Sequence, residues 1–268
     1  MREPTGLFVD FIRYLGMLFV GFIRELGCIF IFFIKGIAYS LTPPFQIQKI
    51  LQHIYFIGFK SIFVISLIGL FTGMVLGLQG YYTLVKFASE GVLGAAVALS
   101  IIRELGPVLT AIMVIGRAGS AITAEIGIMR ISEQIDALET MNINSIRYLF
   151  SPRIVASLIC VPLLTSIFDV IGIIGGYLTG VLLLGIDSGT YFSKMENLVD
   201  MKDIMDGFYK AILFGILIIT ICCYEGYFVH KRKDGFGARG VSSATTDAVV
   251  ISCVLVLVGD YVLTSFLL

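Results

Sequence analysis

The chain has little charge, two histidines and no tryptophan. Of its 268 residues only 14 % are Asp, Glu, Lys or Arg, against about 25 % in soluble domains. The 19 basic and 19 acidic side chains cancel, which removes any bulk electrostatic case for nucleic acid. His53 and His230 lie far apart in the chain. Cys28, Cys160, Cys222, Cys223 and Cys253 sit inside apolar runs. With no C-x-x-C pair and no Cys/His cluster, neither a zinc site nor a disulfide framework is implied, and the cysteines read as small apolar filler. The sequence also lacks G-x-x-x-x-G-K-[ST], G-x-S-x-G and H-E-x-x-H. It therefore offers no phosphate-cradling loop and no recognisable catalytic set. Gly235–Gly240 is glycine-rich but leads into no Lys-Ser/Thr. An enzyme is not expected and the chain itself calls for no cofactor; ATP-driven work would need Mg-ATP on a partner.

What is present is apolar surface. Hydrophobic residues make up 57 % of the chain and the mean hydropathy is +0.97. That excess rules out disorder and exceeds what one soluble core can absorb, so it must face lipid. A bilayer-spanning helix needs about 20 mostly apolar residues. Five stretches qualify: Tyr55–Leu78, Gly91–Ile115, Ile154–Ile186, Phe208–Val229 and Ala248–Leu268. The expected fold is an all-α membrane protein with five transmembrane helices. The segments 1–54, 117–153 and 230–247 are rich in Lys and Arg, whereas 79–90 and 187–207 are poor in them. The positive-inside rule then puts the N-terminus in the cytoplasm. No cleavable signal peptide is recognisable, since Arg13 and Arg24 interrupt the first apolar stretches; insertion into a bacterial inner membrane is expected.

Residues 1–44 form a region apart from the five-span body, 45–268. Arg2, Arg13, Arg24 and Lys35 are spaced by 11 residues, close to three helical turns, so they share one face. Phe8, Leu15, Phe19, Phe22, Leu26 and Phe33 lie opposite. This pattern describes an N-terminal interfacial amphipathic helix; the alternative is a sixth span around residues 15–34. Thr42-Pro43-Pro44 ends the helix.

Two glycine stripes stand out, Gly69/Gly73/Gly77 and Gly172/Gly176/Gly180. Small residues four apart let helices approach closely in lipid, either as a sliding or dimer interface or as static packing. Charges inside spans are expensive and are paired or functional. Arg103-Glu104-Leu105-Gly106-Pro107 combines a charge pair with a kink, and reads as a wet cavity or as a buried structural pair. Asp169 and Asp260 are further intramembrane carboxylates. Between the second and third spans, Ile122, Ile126, Met129, Ile135 and Leu138 recur at helical spacing. Glu125, Arg130, Glu133, Asp136 and Glu139 form the charged side. Asn142–Asn144 reads as a break, and Ser151-Pro152 as a helix start. This cytoplasmic segment, 117–153, is either a coupling helix for an external motor or a surface loop.

Several motifs together resemble the MlaE/YrbE permease family: Gly73–Gly80 (GMVLGLQG), Arg103–Pro107, Gly116–Ala121, Thr123–Gly127, Ser151–Arg153, Gly185–Gly189 and Ala244–Val250. They occur in order from about Tyr55 to the C-terminus. The resemblance implies a permease subunit of an ABC transporter that moves phospholipid or other lipid between the inner membrane and the outer envelope. It implies a homodimer, a cytoplasmic ABC ATPase docked on the segment after the second span, and a periplasmic MCE-domain protein. A STAS-domain protein often accompanies the ATPase. By motif, Leu76, Leu78, Glu104 and Leu105 would line the lipid pocket, with Phe87 beside them. Glu125, Arg130, Glu133 and Asp136 would serve ATPase coupling. Two other classes of function fit the residues: an ion-coupled carrier with Glu104, Asp169 and Asp260 as a proton relay, and a structural membrane scaffold.

Overall fold

The computed structural model describes residues 4–41, 46–231 and 237–267, and no strand occurs among them. Five helical stretches are long and apolar enough to cross a membrane: Ile47–Phe87, Glu90–Ile131, Ser145–Leu183, Met201–Tyr227 and Gly237–Leu267. They alternate in direction. The end where the first span begins is called proximal here and the other end distal. Every span is longer than its apolar core. The second runs through Arg117 to Ile131, so the connection between the second and third spans shrinks to Ser132–Asn144. A 38-residue helix, Pro4–Leu41, precedes the spans. Its Arg13, Arg24 and Lys35 are exposed. Phe19 and Leu26 of the opposite face are exposed as well. The anchoring side chain is instead Phe32, packed edge-on against Phe150 at 5.2 Å and against Tyr224 at 5.9 Å. Arg2, Thr42–Pro44 and the side chains of Phe8, Leu15 and Phe22 lie outside the described residues.

The first and third spans make the most extensive helix pair, and the second span touches all four others. The two glycine stripes explain the pairing: they face each other. A Cβ on Gly73 would overlap the Gly172 carbonyl, and one on Gly77 would overlap Thr179. Backbones this close gain dispersion that side chains would forbid. The stripes are thus consumed by static packing inside one chain.

Four π-helical turns interrupt the spans: Tyr55–Phe59, Ile101–Leu105, Ile115–Gly119 and Leu178–Leu183. Such turns hand an amide to the carbonyl five residues back and strand the next one. The Lys60 amide reaches the Tyr55 carbonyl, so Phe56 loses its α-helical donor. The Arg117 guanidinium replaces it from the second span, donating also to Ser61 Oγ at 2.8 Å. The Ser120 amide reaches Ile115, and the stranded Gly116 carbonyl accepts from Ser120 Oγ at 2.5 Å. This is why Arg117 does not end the second span, as its charge predicts: its donors repair the first.

At the distal end, Gly185 (φ 76°) turns the chain and Asp187 caps helix Ser188–Leu198 by accepting from the Thr190 amide at 2.8 Å. That amide holds the Asp187 carboxyl below its usual acidity range. At the proximal end, Asn144 caps the short turn Ser145–Leu149. Ser151, which reads in sequence as a cap, is already helical, with Phe150 before it.

Candidate functional site

Pro107 and the π turn before it strip two donors from neighbouring carbonyls. The Gly106 amide reaches Ile101 rather than Ile102, and Pro107 has no amide to offer Arg103. Two features of the fourth span answer this. Gly207 lets its backbone press against the Ile102 carbonyl, where a Cβ would clash. Lys210 Nζ donates to the Arg103 carbonyl at 2.8 Å. The same ammonium donates to Glu104 Oε2 at 2.9 Å and Thr264 Oγ1 at 2.7 Å. Its three protons are then spent. Asp260 Oδ1 sits 3.1 Å away as a countercharge without a hydrogen bond. Lys210 is 3 % exposed at its side chain, so two spans supply the charge that permits its burial.

Arg103 points the other way along the same helix and pairs with Asp203, its Nε donating to Oδ1 at 2.8 Å. Asp203 also closes a capping box at the start of the fourth span, accepting from the Asp200 amide at 3.1 Å. Arg103, Glu104, Lys202, Asp206, Lys210 and Thr264 enclose a narrow polar cleft of about 40 Å³. Between the first and second spans lies a wider crevice of about 330 Å³, lined by Leu76, Gln79, Gly80, Thr83 and Leu84 of the first span and Leu93, Ala96, Val97 and Ser100 of the second. Ser100 and Glu104 are one turn apart, so cleft and crevice flank one stretch of helix.

Of the residues expected to bind lipid, Leu76 lines the crevice and Glu104 the cleft. Leu78 is 43 % and Phe87 74 % exposed on the outside of the chain, and Leu105 is half-buried beside Glu104. A single chain does not bring these five together. Of the three carboxylates of a proton relay, two come together and one does not. Glu104 and Asp260 share Lys210, whereas Asp169 faces Gly106 from the third span with Oδ1 buried and unpartnered. Sequence reasoning missed Asp203, Lys210 and Thr264 as members of the site. The signal was Pro107, which guarantees an Arg103 carbonyl in need of a donor.

The segment expected to meet a motor is tied inward. Glu125 pairs at 3.0 Å with Arg153, a side chain 3 % exposed whose other nitrogen donates to the Leu149 carbonyl at 2.7 Å. Arg130 pairs with Asp136 at 2.7 Å across the turn at Ser132–Glu133. Glu133 itself is exposed, at φ 58°. Glu139 accepts from Ser145 Oγ at 2.8 Å and Tyr227 Oη at 3.0 Å. These bonds hold its carboxyl below the usual range.

Five apolar helices around buried ion pairs, with no metal-ligating cluster among the described residues, define a polytopic membrane protein of the permease type. The sequence pattern of the family described as "Permease MlaE" matches residues 50–266, and the chain belongs to that family. A Haemophilus influenzae protein called "Intermembrane phospholipid transport system permease protein MlaE" is 44 % identical over 219 residues, 81 % of this chain and 82 % of its own. A "Probable ABC transporter permease protein" of Rickettsia bellii is 43 % identical over 228 residues, 85 % of this chain and 86 % of its own. The Arabidopsis thaliana protein "TRIGALACTOSYLDIACYLGLYCEROL 1, chloroplastic" is 35 % identical over 81 % of this chain and 60 % of its own.

Proposed function

We propose that this permease is the membrane subunit of an ABC-type transporter that moves phospholipid between the inner membrane and the outer envelope, driven by a separate ATPase. The observation that carries the reading is a largely aliphatic crevice and a charged cleft one turn apart along one broken helix, in a chain of the MlaE family. Acyl chains suit the walls that Leu76, Leu78, Phe87 and Leu105 provide, and a polar headgroup suits Glu104 and the charges around it. Two copies assemble through the fifth span, whose Val250, Val254, Leu257 and Tyr261 are exposed in one chain; the pairing brings crevice and outward side chains to a common cavity. The proximal end is cytoplasmic, as its Lys and Arg content argues, and the helix Pro4–Leu41 lies in the interface with its three exposed cations at headgroups. The ATPase docks around Glu133, beside the Arg130–Asp136 pair and the Glu125–Arg153 pair. An MCE-domain protein receives lipid at the distal end, and a STAS-domain protein sits on the ATPase. No bond is made or broken in this chain: ATP binding and hydrolysis in the partner would close and open the cavity.

The test is reconstitution of the affinity-purified complex in vesicles with labelled phospholipid. ATP-dependent transfer that falls several-fold in Leu76→Trp, with assembly intact, supports the reading. Transfer that needs no nucleotide and follows a proton gradient overturns it.

A further inference from the structure

Arg130 ends the second span, yet its side chain is 15 % exposed, unusual for a cation at a membrane surface where water is available. Its bonds explain this. One arm reaches Asp136 on the helix Gln134–Thr140 at 2.7 Å. Its Nε donates to Nδ1 of His230 at 3.0 Å, and the guanidinium lies 5.5 Å from the ring centre of Tyr227. Tyr227 in turn donates to Glu139 at the other end of the same helix. Gln134–Thr140 is therefore tied at both ends to one short piece of chain, Tyr227–His230, where the fourth span ends. Ile135, next to the first tie, is fully buried. Glu133 keeps its left-handed backbone, a conformation that persists where the surroundings over-determine it.

We propose that His230 is a positioning residue that joins the ATPase-coupling helix to the fourth span by presenting an unprotonated Nδ1 to Arg130. The fourth span is unbroken from Met201 to Tyr227. It carries Lys210, 17 residues or about 25 Å before Tyr227, into the charged cleft. A displacement of Gln134–Thr140 thus reaches the Lys210 ammonium through a rigid rod. Nδ1 has to accept, so the ring works only when neutral. Burial holds His230 below the ordinary histidine range, Arg130 and Lys231 add to this, and Asp136 opposes it; these are the charges acting on the ring among the described residues. A proton on Nδ1 would turn an acceptor into a donor facing a guanidinium and open the link.

The inference rests on the reading that an ATPase drives this permease, and the experiment separates the two. In vesicles holding the complete complex, lipid moved per ATP hydrolysed is measured for wild type, His230→Lys and His230→Asn. The Lys variant is expected to assemble and hydrolyse ATP but to lower the ratio roughly tenfold, the value of one hydrogen bond to a charged group. His230→Asn, whose Oδ1 can replace Nδ1, is expected to restore it. Because His230 is held below the ordinary histidine value, the wild-type ratio should hold down to about pH 6.5 and fall only on further acidification, with the Asn variant flat relative to it. Equal loss in both variants, or a Lys variant with the wild-type ratio, overturns the proposal. A wild-type complex that moves no lipid with ATP overturns the transport reading instead. Amide exchange of Gln134–Thr140 in the full chain then still decides the link: roughly tenfold faster in His230→Lys and unchanged in His230→Asn supports it, and unchanged in both overturns it. If the Lys variant does not insert, Arg130→Gln tests the bond from the other side with the same expectation.

Discussion

Along the first and third spans, Gly69, Gly73 and Gly77 meet Phe168, Gly172 and Gly176, and backbone touches backbone. Along the second, fourth and fifth spans the contact runs through Arg103, Glu104, Asp203, Lys210 and Asp260. The first interface has one arrangement, because overlap energy rises steeply for any atom that enters it. In the second, three protons of Lys210 face four acceptors, so partners can be exchanged at small cost. Lipid provides no hydrophobic drive to hold helices together; the glycine seam supplies rigidity and the ionic seam supplies alternatives. A transport movement belongs on the ionic side.

The largest effect should come from breaking the rigid seam. Gly73→Leu places a branched side chain where the Gly172 carbonyl lies, and overpacking at a site that cannot give should exceed about 3 kcal/mol. The expected outcome is loss of monodisperse protein in detergent; recovery at wild-type yield and melting temperature would mean that the two spans separate freely. Next, Lys210→Met leaves Glu104 and Asp260 without their buried cation and the Arg103 carbonyl without a donor. Breaking a fully buried pair from one side costs about 3–5 kcal/mol, and the cost here falls below that range because Glu104 is 41 % exposed and water reaches it. Adding Glu104→Gln should recover part of it, a coupling readable in a double-mutant cycle of thermal unfolding. Additive losses would mean that the ionic seam is not one network.

A smaller effect is expected at the join between the seams. Arg117→Leu removes the donor that repairs the Phe56 carbonyl and frees Ser61 Oγ, about 1–3 kcal/mol for a buried acceptor left unpaired. The local readout is faster amide exchange around Tyr55–Phe59. If exchange there does not change, the π turn is held by its own helix.

The contrast between seams also explains what could be read in advance. The five spans and the family were legible, since each rests on a local pattern: runs of apolar residues and motifs in order. The glycine stripes were visible as stripes, but which stripe meets which is a tertiary fact. Likewise Lys210 is a lone cation two residues inside the stretch Phe208–Val229. Its role depends on a fourth span lying against the break at Pro107, and no spacing within Phe208–Val229 encodes that. The helix ends moved for a related reason: Arg117 reads as a boundary until a carbonyl stranded 61 residues earlier is there to receive it.

The mildest test concerns the helix Gln134–Thr140, which uses the ionic kind of contact outside the spans. Glu139 is exposed, so screening limits what its bonds to Ser145 and Tyr227 contribute. Those bonds lower its folded-state acidity range below the unfolded one. A depressed carboxylate contributes stability that is present above the unfolded value of about 4.5 and is lost as pH falls through the folded value. At neutral pH, Glu139→Gln should therefore loosen Gln134–Thr140 slightly. The difference from wild type should shrink as pH falls below about 4.5, because the wild-type carboxyl then becomes neutral as well. Amide exchange of that helix against pH measures this, with the glycine seam as the internal reference that no pH change should move. A difference that persists unchanged into acid would assign the Glu139 contacts to shape rather than charge, and Gln134–Thr140 would then belong with the rigid seam.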